Sequence, residues 1–190
     1  MKKIIAGVDE VGRGSLIGPV YAAAVIFKKN IDKSKIKDSK KLTKKNRKIL
    51  EKYIKKNSYW SIGSASLKEI EKLNILNASL LAMKRAIIKL NRKSSYVLID
   101  GNKIPEIKNY NLKCIIKGDE KIPQISAASI IAKVTRDKLI KKMSKKFTKY
   151  NWDKNAGYGT KLHLIAIKKF GVTMYHRKNF RPIHNMLSPN

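Results

Sequence analysis

The spacing of apolar positions along the chain predicts short strands that alternate with amphipathic helices. Strands are indicated by short runs that are apolar or alternating, and helices by apolar residues that recur every three or four positions. The predicted strands are 4–8, 20–27, 59–65, 96–99 and 113–116, and the predicted helices are 44–56, 67–73, 75–90, 125–147 and 161–170. This alternation is typical of an α/β fold.

Polar residues mark where several of these helices begin. Thr43, Ser66 and Thr160 each precede a predicted helix, where a hydroxyl accepts a hydrogen bond from a free N–H of the first turn. Gly18-Pro19 separates the first two strands and indicates a hairpin-like start to the sheet. Because no repeat or linker divides the chain, we expect a single domain over residues 1–190, with a helical carboxyl-terminal extension from about residue 138.

Acidic residues follow three of the predicted strands, each beside glycine. Asp9 and Glu10 precede Gly12-Arg13-Gly14, Asp100 precedes Gly101, and Asp119 follows Gly118. Ligands and catalytic groups gather at the carboxyl ends of strands in α/β sheets, and carboxylate oxygens suit Mg²⁺ or Mn²⁺. The alternative is that these are ordinary solvated surface turns. This is the weaker interpretation, because the pattern of an acid beside glycine after a strand occurs three times in a chain with only 13 acids.

Asp9 and Glu10 are adjacent, and this constrains the backbone that carries them. Neighbouring side chains of a strand point to opposite faces of the sheet. We therefore expect the first strand to end or bend at these residues, which the following glycines permit.

The charge balance favours a polyanionic partner. Lys and Arg number 44 against 13 Asp and Glu, which gives a net charge of +31 and points first to nucleic acid. Of the 44 cationic residues, 37 are lysine and seven are arginine. A biased coding sequence is an alternative source of part of this excess, on solvated faces that bind nothing.

Cysteine content and hydropathy indicate a soluble cytoplasmic protein without a membrane span. Cys114 is the only cysteine, which excludes a disulfide framework and a cysteine-based metal site. No apolar run approaches the roughly 20 residues of a membrane span, and the amino-terminal apolar run is too short for a signal peptide.

Seven motifs follow one another over nearly the whole chain. They are D-E-V-G-R-G at 9–14, D-S-K-K-L at 38–42, I-D-G-N at 99–102, K-G-D at 117–119, I-S-A-A-S-I-I-A-K-V-T-R-D at 125–137, G-Y-G-T at 157–160 with His163, and H-R-K-N-F at 176–180. In this order they resemble the type 2 ribonucleases H, the ribonuclease HII family. Arg13 and a first motif at residue 9 argue against the related type 3 enzymes.

The resemblance implies a ribonuclease H-like fold, with a mixed five-stranded sheet flanked by helices and a helical carboxyl-terminal part. It also implies an endonuclease that hydrolyses the RNA strand of RNA–DNA hybrids and nicks duplex DNA 5′ to embedded ribonucleotides, leaving 3′-hydroxyl and 5′-phosphate ends. The expected partners are RNA–DNA hybrids and ribonucleotide-containing duplex DNA, and no membrane, bound by a monomer. Recruitment by a protein partner stays open. Two-metal chemistry with Mn²⁺ or Mg²⁺ follows as the hypothesis for cleavage.

The site residues implied by the resemblance coincide with the acids at the strand ends. Asp9, Glu10, Asp100 and Asp119 match the family's four catalytic acids and are the expected metal ligands. The backbone of Gly12, Arg13 and Gly14, together with Tyr158, is expected to sense the ribose 2′-hydroxyl. Lys40 and Lys41 are expected phosphate contacts, with ordinary surface lysines as the alternative.

Other polar residues are given lesser roles. Asp137 is expected to form a structural ion pair or packing contact, and His163, His176 and His184 lack metal-ligand spacing. Ser15 and Asn179 stand where family members often carry Pro and Ser, and neither departure bears on the four acids. Two rival functions remain, a non-catalytic basic nucleic-acid-binding protein and a metal-dependent nuclease of all-DNA duplexes.

Overall fold

A five-stranded sheet in the order β3-β2-β1-β4-β5 forms the centre of the computed structural model, which describes residues 3–29, 31–36 and 42–188. The strand β1 pairs antiparallel with β2 and parallel with β4, β2 pairs antiparallel with β3, and β4 pairs parallel with β5. The strands are β1 Ile5–Val11, β2 Val20–Phe27, β3 Ser58–Ala65, β4 Tyr96–Asp100 and β5 Leu112–Ile115. The predicted mixed sheet is confirmed.

Seven α-helices surround this sheet in the described part of the chain. They are α1 Lys44–Lys56, α2 Leu67–Ile88, α3 Gly118–Lys121, α4 Pro123–Ser144, α5 Trp152–Asn155, α6 Lys161–Phe170 and α7 Arg181–Leu187. Thr43, Ser66 and Thr160 cap α1, α2 and α6 as predicted, and Ser66 forms a full capping box with Glu69. The two helices predicted at 67–73 and 75–90 are the halves of α2, which is kinked at Asn74.

Two apolar layers enclose the sheet and a third cluster lies beside it. The cluster on one face contains α2 residues such as Ala82 and Met83, and the cluster on the other contains α1 and α4 residues such as Ile54 and Ile131. Gly7 lets α4 lie directly on β1, since a Cβ there would stand 2.2 Å from the Gln124 carbonyl carbon. The third cluster packs the carboxyl-terminal helices against the loop that follows β1, through residues such as Ile17.

The first strand differs from the prediction. It does not end or bend before the acids, because β1 continues to Val11 and pairs Asp9 with Ala23 and Glu10 with Ala22. The antiparallel partner β2 supplies the hydrogen bonds that keep this segment extended. The short helices α3, α5 and α7 were not predicted, since each has seven residues or fewer and shows no helical period.

Helix length and polarity in the described ranges exclude a transmembrane helix there. Neither 22-residue helix, α2 or α4, contains a stretch that is both long and apolar enough to cross a bilayer.

Candidate active site

The first two acids lie near the end of β1, in the middle of the sheet. Asp9 is buried, with 5% of its surface exposed, and its Oδ1 accepts a hydrogen bond from the Glu10 backbone N–H at 2.7 Å. The Ser129 hydroxyl of α4 also hydrogen-bonds the Asp9 carboxyl group. Glu10 is more open and forms an ion pair with Arg13 at 3.2 Å. The continuous strand therefore holds one acid inward and the next close to the surface.

The other two acids lie at the ends of the neighbouring parallel strands, Asp100 as the last residue of β4 and Asp119 in the helix that follows β5. Asp100 ends β4, and its Oδ1 accepts a hydrogen bond from the Gly118 backbone N–H at 2.7 Å. Asp119 is the next residue, in the first turn of α3. Because β1, β4 and β5 run parallel, their carboxyl ends meet at one edge of the sheet. The fold thus brings Asp9, Glu10 and Asp100 within electrostatic reach and places Asp119 beside the amide that binds Asp100.

The pKa values of the β1 acids reflect burial among like charges. Burial raises the pKa of Asp9 well above its ordinary value, and the charges of Glu10 and Asp100 raise it further against the Ser129 hydrogen bond. Burial likewise raises the pKa of Glu10, with Asp100 adding to the rise, while Arg13 opposes it. The carboxylates of this edge repel one another.

The chemistry of the acids suits a divalent cation, although their side chains are not yet grouped as a set of metal ligands. Within the ranges that the structure describes, no three Asp, Glu, His or Cys side chains already form a metal-binding cluster. In the same ranges neither Asp9 nor Asp100 forms an ion pair with Lys or Arg. A buried carboxylate among other carboxylates needs a cation, and hard divalent ions take carboxylate oxygens.

The Gly-Arg-Gly turn lies against the loop that carries Tyr158. Ser15 and Tyr158 form an isolated antiparallel bridge, and the Leu16 N–H donates to the Gly157 carbonyl at 2.8 Å. A Cβ on Gly14 would stand 3.8 Å from the Tyr158 ring, so the tyrosine lies directly beside the turn. The two predicted recognition elements, more than 140 residues apart in sequence, are neighbours in the fold.

Two buried arginines hold this turn, and sequence reasoning missed both roles. Arg136 of α4 donates to Ser15 Oγ at 2.7 Å and to the carbonyls of Ile17 and Ala156 at 3.0 Å. Arg177 donates to the Arg13 carbonyl at 2.8 Å and to the Gly18 carbonyl at 2.9 Å. Both lie within the quoted motifs, and the rarity of arginine in a lysine-rich chain was the available signal.

Burial lowers the pKa of both arginines, and the charge of Arg136 lowers that of Arg177 further. Burial lowers the pKa of Arg136. Burial first, and then the neighbouring Arg136 charge, lowers the pKa of Arg177 to about 9. Their hydrogen-bond partners are backbone carbonyls and the Ser15 hydroxyl, and not carboxylates, and Nη2 of Arg177 is buried without a partner among the described residues.

The remaining predicted residues are less central. Asp137 forms an ion pair with Lys133 at 2.8 Å, in line with a structural role. Ser15, one of the two departures, is the buried hydroxyl that Arg136 contacts, and it donates to the Gly157 carbonyl at 3.0 Å. Asn179 Nδ2 is 3.4 Å from the Glu71 carbonyl. Lys40 and Lys41 lie outside the described residues.

A basic cleft of about 480 Å³ begins at Tyr158 and follows α4 away from the acids. Trp152, Ala156 and Val134 contribute to its lining, with Asp137 and Asp153 as its acids. Its seven cationic residues are Lys44, Arg47 and Lys48 of α1, Lys133, Lys138 and Lys141 of α4, and Lys154 of α5. Such a concentration of positive charge beside the turn suits a phosphate backbone.

Solved structures share this architecture. The ribonuclease HII of Archaeoglobus fulgidus, solved in a complex with PCNA, has a TM-score of 0.80 at 26% identity over 93% of this chain and 95% of that one. Bst ribonuclease HIII, solved with Mn²⁺, has a TM-score of 0.74 at 18% identity over 97% of this chain and 69% of that one, a likeness of fold alone. The fold and its acidic edge define a nuclease of the ribonuclease H class.

Sequence comparison narrows the class to a family. The family model described as Ribonuclease HII matches residues 6–183. The Ribonuclease HII of Pelagibacter ubique (strain HTCC1062) is 71% identical over 185 residues, which are 97% of this chain and 100% of that protein. The chain belongs to the ribonuclease HII family. It is accordingly a metal-dependent type 2 ribonuclease H, an endonuclease that degrades the RNA strand of RNA–DNA hybrids.

Proposed function

We propose that this enzyme also nicks duplex DNA on the 5′ side of a single embedded ribonucleotide, leaving 3′-hydroxyl and 5′-phosphate ends. The observation that carries the proposal is the contact between the Gly12-Arg13-Gly14 turn and Tyr158 at the end of the strand that bears Asp9 and Glu10. A 2′-hydroxyl both donates and accepts hydrogen bonds, so a backbone turn beside an aromatic ring suits one ribose. Selection and chemistry then lie within a few residues of each other.

The four acids are the proposed metal ligands. Asp9, Glu10, Asp100 and Asp119 would hold two Mn²⁺ or Mg²⁺ ions, which supply an activated water and positive charge opposite the scissile phosphate. The chain's own contribution is positional. Ser129 and the Glu10 amide orient Asp9, and the Gly118 amide orients Asp100, so that their oxygens face the same edge of the sheet.

The basic cleft is the proposed path of the nucleic-acid backbone beyond the turn. Lys133 lies 5.9 Å from the centre of the Tyr158 ring, and Lys141 lines the cleft two turns further along α4. Phosphates bound there would fix the duplex so that the ribonucleotide meets Tyr158. We further propose that Lys40 and Lys41 contact phosphates, and that the enzyme acts on its substrate as a monomer.

A cleavage assay on three end-labelled duplexes tests this function. The substrates are an RNA–DNA hybrid, a DNA duplex with one ribonucleotide and an all-DNA duplex, each incubated with Mg²⁺, Mn²⁺ or EDTA. We expect metal-dependent cutting of the first two, with the nick immediately 5′ to the single ribonucleotide. A ligase should reseal that nick directly, because its ends are a 3′-hydroxyl and a 5′-phosphate.

The same assay gives results that would contradict the proposal. Cutting of all-DNA duplex at a similar rate would assign the site to a general nuclease. Binding of the single-ribonucleotide duplex without a nick, while the hybrid is cut, would show that the turn and Tyr158 do not select an isolated ribose. The matched variant Tyr158→Ala should keep duplex affinity and lose discrimination at the single ribonucleotide.

A further inference from the structure

Two buried histidines form a hydrogen-bonded chain that ends on the backbone of Tyr158. His163 Nδ1 is 2.9 Å from the Tyr158 carbonyl oxygen, and the Trp152 indole N–H donates to His163 Nε2 at 2.8 Å. His176 Nε2 is 3.3 Å from His163 Nε2, and the Thr173 backbone N–H donates to His176 Nδ1 at 2.9 Å. Both imidazoles are almost fully buried, His163 at 0% and His176 at 3% exposure.

The partners at the two ends assign a proton to each ring. The indole of Trp152 and the amide of Thr173 can only donate, so His163 Nε2 and His176 Nδ1 are acceptors. His163 therefore carries its proton on Nδ1 and donates it to the Tyr158 carbonyl. His176 carries its proton on Nε2, which lies 3.3 Å from His163 Nε2 and shares with the Trp152 indole the one lone pair of that nitrogen. Burial lowers the pKa of both rings, that of His176 to about 4, in keeping with two neutral imidazoles.

The same two histidines belong to the segments on either side of the turn that follows β1. Ser15 bridges to Tyr158 on one side, and Ile17 bridges to His176 on the other. The contact between His163 and His176 joins these two segments behind the turn, out of contact with solvent. The histidine pair therefore sets the spacing between the segment that carries Tyr158 and the segment that closes the other side of the turn.

We infer that His163 and His176 are positioning residues that hold Tyr158 against Gly14 and thereby determine selectivity for an isolated ribonucleotide. The inference rests on the proposed function, because it takes Tyr158 as the group that contacts the ribose. Neither histidine touches the acids in the described contacts, so the pair acts through Tyr158 and not on the cleavage step. A small displacement of a positioned group costs about 10-fold to 10²-fold in rate.

Amide side chains can replace one ring nitrogen at a time and so separate positioning from packing. In His163→Asn the amide takes the place of Nδ1 and keeps the donor to the Tyr158 carbonyl, whereas His163→Gln places the amide near Nε2 and loses that donor. In His176→Gln the amide keeps the donor to His163, whereas His176→Asn keeps only the acceptor for Thr173. Each pair removes a ring and buries an amide. The variant that keeps the donor is the shorter Asn at position 163 and the longer Gln at position 176, so an effect of side-chain length would run in opposite directions at the two positions.

The measurement is the ratio of kcat/KM on the single-ribonucleotide duplex to kcat/KM on the RNA–DNA hybrid, taken below the melting temperature of every variant. We expect His163→Gln and His176→Asn to lower this ratio by about 10-fold, and His163→Asn and His176→Gln to keep it within about twofold of the wild type. All four should lower the melting temperature. Tyr158→Ala is the reference for complete loss of the contact.

The outcomes separate this inference from the function on which it rests. An unchanged ratio in Tyr158→Ala would overturn the role of the tyrosine itself. A lowered ratio in Tyr158→Ala with an unchanged ratio in His163→Gln and His176→Asn would support the role of the tyrosine and would show that the histidines serve only in packing. An equal fall in both members of each pair would contradict the positioning account in the same way.

A second measurement does not depend on any variant folding. Two-bond ¹H–¹⁵N correlation spectra of the wild-type protein distinguish the tautomers of neutral histidines. We expect His163 as the Nδ1–H form and His176 as the Nε2–H form at pH 7. The opposite tautomer at His163 would remove the donor to Tyr158 and overturn the inference, and a charged ring there would contradict the acceptor role of Nε2 toward Trp152 on which the assignment rests.

Discussion

The strand β1 joins two regions, the acidic edge of the sheet and the turn beside Tyr158. The charged groups of the edge are mutually repelling carboxylates, whereas those of the turn are arginines. At the edge, Asp9, Glu10 and Asp100 face one another, and the pKa of Asp9 is raised by burial and by both neighbours. At the turn, Arg136 and Arg177 donate their hydrogen bonds to backbone carbonyls of their own surroundings. At the edge, Glu10 is paired with Arg13 but neither Asp9 nor Asp100 has a cationic partner in the described residues, whereas the turn is held by hydrogen bonds to its own backbone.

This difference shows what each region contributes to the enzyme. Repelling carboxylates are destabilising unless a cation joins them, so the edge is prepared for ions that arrive from solution. A turn held by buried guanidinium groups cannot adapt easily, so it suits recognition of one sugar geometry. Because backbone carbonyls and the Ser15 hydroxyl accept the hydrogen bonds of the arginines, neither guanidinium group neutralises Asp9 or Asp100.

Removing the charge of Asp9 should have the largest effect on the acidic edge. We expect Asp9→Asn to lower the cleavage rate by about 10²-fold to 10³-fold or more, because a proposed ligand is lost. The raised pKa of Asp9 means that its ionised form destabilises the fold at neutral pH, so the melting temperature without added metal should rise.

Calorimetry and initial rates at pH 7.5 measure both effects. Glu71→Gln is the control, since Glu71 is an exposed acid of α2, and it should leave rate and melting temperature unchanged. A lower melting temperature in Asp9→Asn would show that the edge is not under repulsion in the metal-free protein.

A side chain at Gly12 would disrupt the turn that Arg136 and Arg177 hold. Gly12 has φ +95°, and a Cβ there would stand 2.3 Å from Arg136 Nε, so Gly12→Ala must displace the guanidinium and strain the backbone. We expect a loss of about 2–4 kcal/mol in the free energy of unfolding. Gly171→Ala is the control for backbone strain alone, since Gly171 has φ +82° with no atom within 4 Å of its Cβ position, and should cost about 1–3 kcal/mol. Urea unfolding of both variants decides whether the close approach of Arg136 matters.

Acid should weaken the turn region through His176. The pKa of His176 is about 4 in the folded protein against an ordinary value of 6.5, so between these values the unfolded chain binds more protons. Stability from this group is complete above about pH 6.5 and falls as the pH drops toward 4, by at most about 1.4 kcal/mol per pH unit. His176→Gln cannot titrate, so the difference in unfolding free energy between wild type and variant should change over this window. A constant difference from pH 7 to pH 4 would contradict the buried neutral ring.

Lysines of the cleft should alter affinity by the smallest amount and in a salt-dependent way. If Lys141 neutralises one phosphate, Lys141→Gln should reduce the slope of log affinity against log salt by about 0.9. Lys89→Gln is the control, because Lys89 is an exposed residue at the end of α2, on the opposite face of the sheet. Fluorescence anisotropy with a labelled hybrid in Ca²⁺ measures both slopes, and equal slopes would assign the cleft charge to solvated surface.

Local chemistry explains why much of the fold was predictable. Thr43, Ser66 and Thr160 cap their helices through hydrogen bonds within one turn. The apolar runs at 20–27 and 96–99 form strands with nearly the predicted bounds. The family and the mixed sheet, both inferred from motifs, are confirmed by sequence and structural relatives. The strand bearing Asp9 was predicted too short because pairing with β2 overrides the glycines that follow.

The sequence by itself determined which acids stand beside glycine after buried strands, because strand length, glycine and carboxylate are all local features. Only the tertiary structure decided the direction in which the pKa of Asp9 is shifted and which side chains hold the turn. Burial of Asp9, the guanidinium contacts of Arg136 and Arg177, and the chain from His176 to Tyr158 each join residues far apart in sequence. Desolvation and hydrogen-bond geometry depend on those distant partners, so no pattern along the chain specifies them.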